Sequence, residues 1–161
     1  MLPLNLPSYP VKIQVQNGKN VICEKPITTD CEKYDELLSL SEKKGLIYAE
    51  AIMSRHTNGR KLLLDALSQI GKISQVRIDF GQLSSRYEKF KNGERVNIFD
   101  MSLAAGTLMD LGVYCVYAAV DLFGIPNSIS ACASFADNGA DLSGGAIFGY
   151  KDFTAVLSYS K

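Results

Sequence analysis

Residues 20–53 read NVICEKPITTDCEKYDELLSLSEKKGLIYAEAIM, and this stretch decides the fold class. Asn20-Val-Ile-Cys23 is a short apolar run of the kind a buried parallel strand shows, and Glu24-Lys25-Pro26 ends it. Thr28-Thr29-Asp30 then offers N-cap side chains for a helix over about 31–44, with Tyr34, Leu37, Leu38 and Ser41 on its inner face and Gly45 as its stop. Leu46 to Met53 is the next strand. Strand, helix, strand in that order makes half of a doubly wound α/β sheet.

Towards the N-terminus, Asn17-Gly18 marks a turn. Before it Pro3, Pro7 and Pro10 oppose a helix at first, while Val11, Ile13 and Val15 alternate as a strand would. Towards the C-terminus a second helix is expected over 59–70, where Leu62, Leu63, Ala66, Leu67 and Ile70 form an apolar stripe and Gly71 closes it. Ile73 to Phe80 alternates as a strand. Residues 81–105 set Tyr87, Phe90 and Phe99 among charges and read as a long surface excursion of the kind that is often functional. Helical periodicity returns over 106–123 and ends at Gly124-Ile-Pro126. Residues 128–135, 144–150 and 153–159 then alternate as an antiparallel meander. The expected class is α/β plus α+β: the second half of a parallel sheet over 1–53, then over 54–161 a mixed, largely antiparallel sheet with helices on one face.

Composition narrows the functions. Seventeen Lys+Arg against 17 Asp+Glu in 161 residues leave no basic field for a nucleic-acid backbone or an anionic membrane surface. The greasiest stretch, Leu111 to Gly124, is interrupted by Gly112 and Asp121, short of the roughly 20 apolar residues of a spanning helix. No basic region precedes the first apolar residues, so the expected location is cytoplasmic. Cys23, Cys31, Cys115 and Cys132 are scattered and three lie in apolar stretches, which suggests buried, reduced thiols. One histidine rules out clustered His-metal ligation, and no metal is expected.

Two groups of residues could carry chemistry. Lys25, between Glu24 and Pro26 at the carboxyl end of a buried strand, lies where open α/β sheets hold ligands. There it could polarise an oxygen or favour the ionised form of a neighbouring acid; equally it could be a solvated loop residue in front of a turn proline. Asp110 and Tyr114 are four apart on the expected helix, with Gly112 leaving room between them. The Tyr114 phenol can give or take a proton, or Tyr114, Tyr117 and Phe123 can simply be core. Asp110 stands in an otherwise apolar run, so it either reaches the surface or has a task that offsets its burial. His56 reads as a polar residue of a helix-entry loop.

Val-Ile-Cys-Glu-Lys-Pro at 21–26, taken with Ala-Gly-Thr-Leu-Met-Asp-Leu-Gly-Val-Tyr at 105–114, resembles the Gfo/Idh/MocA family of nicotinamide-dependent oxidoreductases, in particular the branch of dimeric dihydrodiol dehydrogenases. Ala49-Glu50-Ala51, Ser84-Ser85-Arg86-Tyr87 and Asn97-Ile-Phe99-Asp100 carry the same resemblance, which runs from about Asn17 onward. It implies a partial NAD(P)-binding, Rossmann-like domain over 1–53 and a partial substrate-binding and dimerisation domain over 54–161. It further implies that Glu24, Lys25 and Pro26 lie at an NAD or NADP cofactor, often with a cis bond before Pro26, and that Asp110 positions substrate. Tyr114, beside Lys25, becomes the proton relay for hydride transfer to or from a sugar, polyol or dihydrodiol. Arg86, Tyr87, Asn97 and Phe99 become candidate substrate contacts, and the C-terminal sheet a route to a homo-oligomer.

The Gly-x-Gly-x-x-Gly turn that holds a pyrophosphate in this family has no counterpart in these 161 residues: Gly18 has no companions, and Gly144-Gly145 lies between late strands. The family also has a richer glycine run where this chain has Ala104-Ala105-Gly106. The expectation is therefore the middle of a longer enzyme, without the fingerprint segment and the far C-terminal part. The alternative is a non-catalytic, sheet-mediated assembly module that binds no cofactor.

Overall fold

The computed structural model describes residues 8–161. Pro3 and Pro7 lie outside the described residues, but Val11, Ile13 and Val15 do not form a strand: they belong to helix α1, Ser8–Gln16. Pro10 falls in the first helical turn, where a missing N–H costs nothing. Val11 and Val15, four apart, are buried while Ile13 between them is exposed, which is helical and not alternating burial.

The expected strand, helix and strand follow. Strand β1, Val21–Cys23, pairs in parallel with β2, Tyr48–Glu50, in the register Val21↔Tyr48 and Cys23↔Glu50. Helix α2, Cys31–Lys43, crosses between them, with the Asp30 carboxylate accepting from the Lys33 N–H at 3.1 Å as its N-cap. Val11, Val15, Cys23 and Leu37 form this unit's core. The stretch around residues 46–53 yields only three strand residues, because a 3-10 turn at Met53–His56 ends it.

Helix α3, Asn58–Leu67, corrects a second expectation: Leu62 and Leu63 on its stripe, and Ile70 beyond it, are exposed. The helix is held through its polar side instead. Arg60 grips Asp121 with two N–H groups, at 2.5 and 2.9 Å, and Arg55, in the 3-10 turn before the helix, donates to the Tyr117 hydroxyl at 2.9 Å.

The second sheet has the order β3-β6-β5-β4. Strand β3, Gln75–Gly81, runs parallel to β6, Thr154–Ser160, and β6 is antiparallel to β5, Asp141–Gly149, itself antiparallel to β4, Ser128–Phe135. Helix α5, Val113–Phe123, covers one face. Its Cys115 and Ala119 pack on Phe148, Ala155 and Leu157, joined by Val76, Ile78 and Phe80. Each large side chain buried in that layer stabilises by about 1.5–3 kcal/mol. Burial pushes the thiols of Cys23 and Cys115 up, so both stay protonated. Cys132, expected to be buried, is exposed on β4, at the sheet edge away from β3.

Residues 81–105 are more ordered than a surface excursion. They hold helix α4, Tyr87–Lys91, and two 3-10 turns, Asn97–Phe99 and Met101–Leu103. Phe99, 1% exposed, lies 4.5 Å from the Phe90 ring and 6.1 Å from that of Tyr87, a small core of its own. The 23 residues Met101–Phe123 are long and apolar enough to cross a bilayer, further than the sequence reading allowed. They are not one straight helix. Ala104 turns left-handed at φ 51°, Leu108–Gly112 forms a π-helical turn, and α5 lays its apolar side on the sheet.

Candidate functional site

Lys25 stands in the loop directly after β1, next to buried Pro26, and the bond between them is cis, as the resemblance implies. Two hydrogen bonds hold this loop at the carboxyl ends of both strands. Glu50 accepts the Ile27 N–H at 2.7 Å, and the Cys23 carbonyl accepts the Ala51 N–H at 2.7 Å.

From the other side, the π-helical turn at Leu108–Gly112 brings Asp110 to the same place. Its entry is tied down by β5: Thr107, fully buried, donates its hydroxyl to the Asp141 carbonyl at 2.7 Å, and the Asp141 carboxylate accepts the Leu108 N–H at 2.6 Å. Such turns insert one extra residue and concentrate at functional sites. The room that Gly112 leaves is taken by the protein itself, since a Cβ there would meet the Tyr159 ring at 2.8 Å and Leu108 at 2.9 Å.

Lys25 and Asp110, 85 residues apart, meet directly. The Lys25 ammonium donates to the Asp110 carbonyl at 2.5 Å and to its Oδ1 at 2.7 Å, and lies 5.0 Å from the centre of the Tyr114 ring. Lys161 pairs with Asp110 Oδ2. Burial pushes the Asp110 carboxyl up, but the hydrogen bonds from Lys161 and Lys25 outweigh it and hold the group below the usual carboxylate range. Asp110 is thus neither a surface residue nor an unpaired buried charge. A cleft of about 500 Å³ opens against Lys25, Ser54, Phe80, Gln82, Asp110 and Tyr114. An ionised acid, an ammonium and a phenol on one wall can hold a hydroxyl or carbonyl oxygen and move a proton to it.

Lys25, Asp110 and Tyr114 are therefore brought together. Glu24 is exposed beside them, and His56 is exposed in the 3-10 turn. Arg86, Tyr87, Asn97 and Phe99 are not among the residues lining the cleft: Arg86 and Asn97 are exposed, and Tyr87 and Phe99 belong to the aromatic cluster. Lys161 and Asp141 gave no sequence signal, because a polar residue at the end of an alternating strand reads as solvated.

Residues 64–161 match the GFO/IDH/MocA C-terminal domain, and residues 9–52 match an oxidoreductase family with an NAD-binding Rossmann fold. The chain is 37% identical over 147 residues to scyllo-inositol 2-dehydrogenase (NADP(+)) IolU of Bacillus subtilis, covering 91% of this chain and 45% of that protein. It is 32% identical over 149 residues to a trans-1,2-dihydrobenzene-1,2-diol dehydrogenase of Xenopus tropicalis, covering 89% of this chain and 43% of that one. Its fold superposes on an aldose-aldose oxidoreductase of Caulobacter crescentus with a TM-score of 0.84 and 20% identity, over 99% of this chain and 49% of the other. The chain thus spans less than half the length of these proteins.

Proposed function

The chain belongs to the Gfo/Idh/MocA oxidoreductase family, and on that premise we propose that it carries the substrate-side part of an NAD(P)-dependent dehydrogenase site, with hydride passing between nicotinamide and a carbinol or carbonyl carbon. A sugar, polyol or dihydrodiol-type substrate suits a cleft walled by charged and phenolic groups over apolar Phe80 and Leu111. The observation that carries this reading is the Lys25–Asp110 pair, 2.7 Å between Nζ and Oδ1, beside Tyr114 at the carboxyl ends of two parallel strands.

The residues fit the reacting end of the cofactor: Lys25, with Glu24 and Pro26, would border it where the strands end. When bound, it supplies or accepts a hydride at C4 of the nicotinamide. The Tyr114 hydroxyl would relay the carbinol proton, passing its own proton to solvent as it accepts the substrate's in oxidation, with the reverse transfer in reduction. Lys25, over the Tyr114 ring, stabilises negative charge as it develops on the substrate oxygen. Asp110 fixes Lys25 through two oxygens and so orients the substrate hydroxyl. Residues 1–53 then form the cofactor side and residues 54–161 the substrate side, with a second copy of the chain docking on the open face of the C-terminal sheet, in the cytoplasm.

Tyr114→Phe removes only the proton-carrying oxygen, so turnover falls by roughly 10²–10⁴-fold with the melting temperature unchanged. Turnover is read as formation of reduced nicotinamide with polyol substrates, and an unchanged rate would refute the relay. The absence of a pyrophosphate-holding glycine turn among these 161 residues favours one second reading, a sheet-mediated assembly module. It predicts self-association that Tyr114→Phe and Lys25→Ala leave intact, with no turnover in any form.

A further inference from the structure

We infer that Lys161 is the second cation of this site, a positioning residue that grips Oδ2 of Asp110 and thereby leaves Oδ1 and the main-chain carbonyl of residue 110 to Lys25. The two lysines divide the acceptors without overlap: Lys25 takes the carbonyl and Oδ1, and Lys161 takes Oδ2. The Lys161 side chain is 6% exposed, against 13% for Lys25. An ammonium that dry is costly unless paired, and Asp110 is the carboxylate it pairs with, while the Phe99 ring lies 6.0 Å from its nitrogen.

Its main chain is fixed as well. The Lys161 N–H donates to the Leu142 carbonyl at 3.0 Å, one step beyond the last β5–β6 pair, Ser143↔Ser160. Lys161 therefore approaches from the end of β6 and Lys25 from the loop after β1, so the carboxylate is held between the two units of the fold. One carboxylate between two ammonium groups leaves the cluster with net positive charge. That charge keeps Asp110 ionised and favours a substrate oxygen that becomes negative.

The groups that reach the Asp110 carboxylate are Lys25 from the β1 loop and Lys161 just beyond β6; Tyr114 from α5 lies under Lys25, Tyr159 from β6 packs on Gly112, and the Asp141 carboxylate of β5 caps the same helical entry. Because the folded-state pKa of Asp110 lies below its unfolded value, the stability this cluster contributes is full above the unfolded value. It is lost as pH falls through the folded one.

The catalytic meaning of this role rests on the proposed dehydrogenase site, whereas the contact itself does not. The test is a carboxyl-carbon NMR titration of Asp110 in the natural chain, Lys161→Met and Lys161→Arg, with Asp110→Asn assigning the signal. The midpoint rises in Lys161→Met and returns towards the natural value in Lys161→Arg; an unmoved midpoint in Lys161→Met overturns the inference. Should Lys161→Met fail to fold, the ammonium protons of Lys161 in the natural chain decide. Slow exchange with solvent, lost in Asp110→Asn, supports the grip, and fast exchange overturns it. Absent turnover with a shifted Asp110 midpoint would remove the functional reading and leave the positioning role standing.

Discussion

On the proposed function, Lys25→Ala is expected to lower the rate of hydride transfer by roughly 10²–10⁴-fold. The ammonium makes three contacts at once: the Asp110 carbonyl, Asp110 Oδ1 and the face of Tyr114. Alanine removes all three, together with the positive charge proposed to face the substrate oxygen. The fold loses less. Stripping one partner from a buried ion pair costs about 3–5 kcal/mol when the other is left alone, but Asp110 keeps Lys161 and is itself part-exposed. Measured side by side, turnover collapses while the thermal melt shifts little. A rate equal to that of the natural chain contradicts the assignment of Lys25, and a collapsed melt would make Lys25 a structural residue first.

Phe99→Ala has the opposite signature, a loss of about 3–5 kcal/mol in stability with little direct effect on substrate affinity. The ring is 1% exposed and packs on Phe90 and Tyr87, under the Lys161 ammonium. The Asn138 side chain also donates to its carbonyl, at 2.8 Å, which ties the 3-10 turn to the β4–β5 hairpin. Truncation opens a cavity that three short elements cannot close by collapsing, because each is already pinned by hydrogen bonds. Chemical denaturation of the variant reads the loss. A raised KM with unchanged stability would instead restore Phe99 as a residue that touches substrate.

These two residues also mark what the sequence could and could not disclose. Lys25 was legible because its chemistry coincides with a strong local pattern, a short buried strand stopped by proline, and position at a strand's carboxyl end is itself a functional signal. Asp110 was legible as an anomaly, a carboxylate in an apolar run. Its partners were only half visible, since Lys161 lies 51 positions along the chain and only the pairing of β5 with β6 brings it back. The burial of Phe99 was not legible, because aromatics spaced among charges have no periodicity, and burial inside an irregular segment leaves no period to read. Helix α1 failed for a related reason. Val11, Ile13 and Val15 fit a two-residue repeat, while Val11 and Val15 also fit a helical one, and over so few positions the packing partner α2 decides. The stripe on α3 followed the helical period well and still did not predict burial: Arg60 ties the helix to Asp121, while Leu62 and Leu63 face solvent.

The central claim is that the Lys25 cluster borders a nicotinamide ring, and a fluorescence titration of NADH and NADPH with the natural chain and Lys25→Ala tests it most directly. The account predicts saturable binding of at least one cofactor below millimolar concentration, weakened in Lys25→Ala. A signal that never saturates up to millimolar cofactor and is the same in both chains would contradict it.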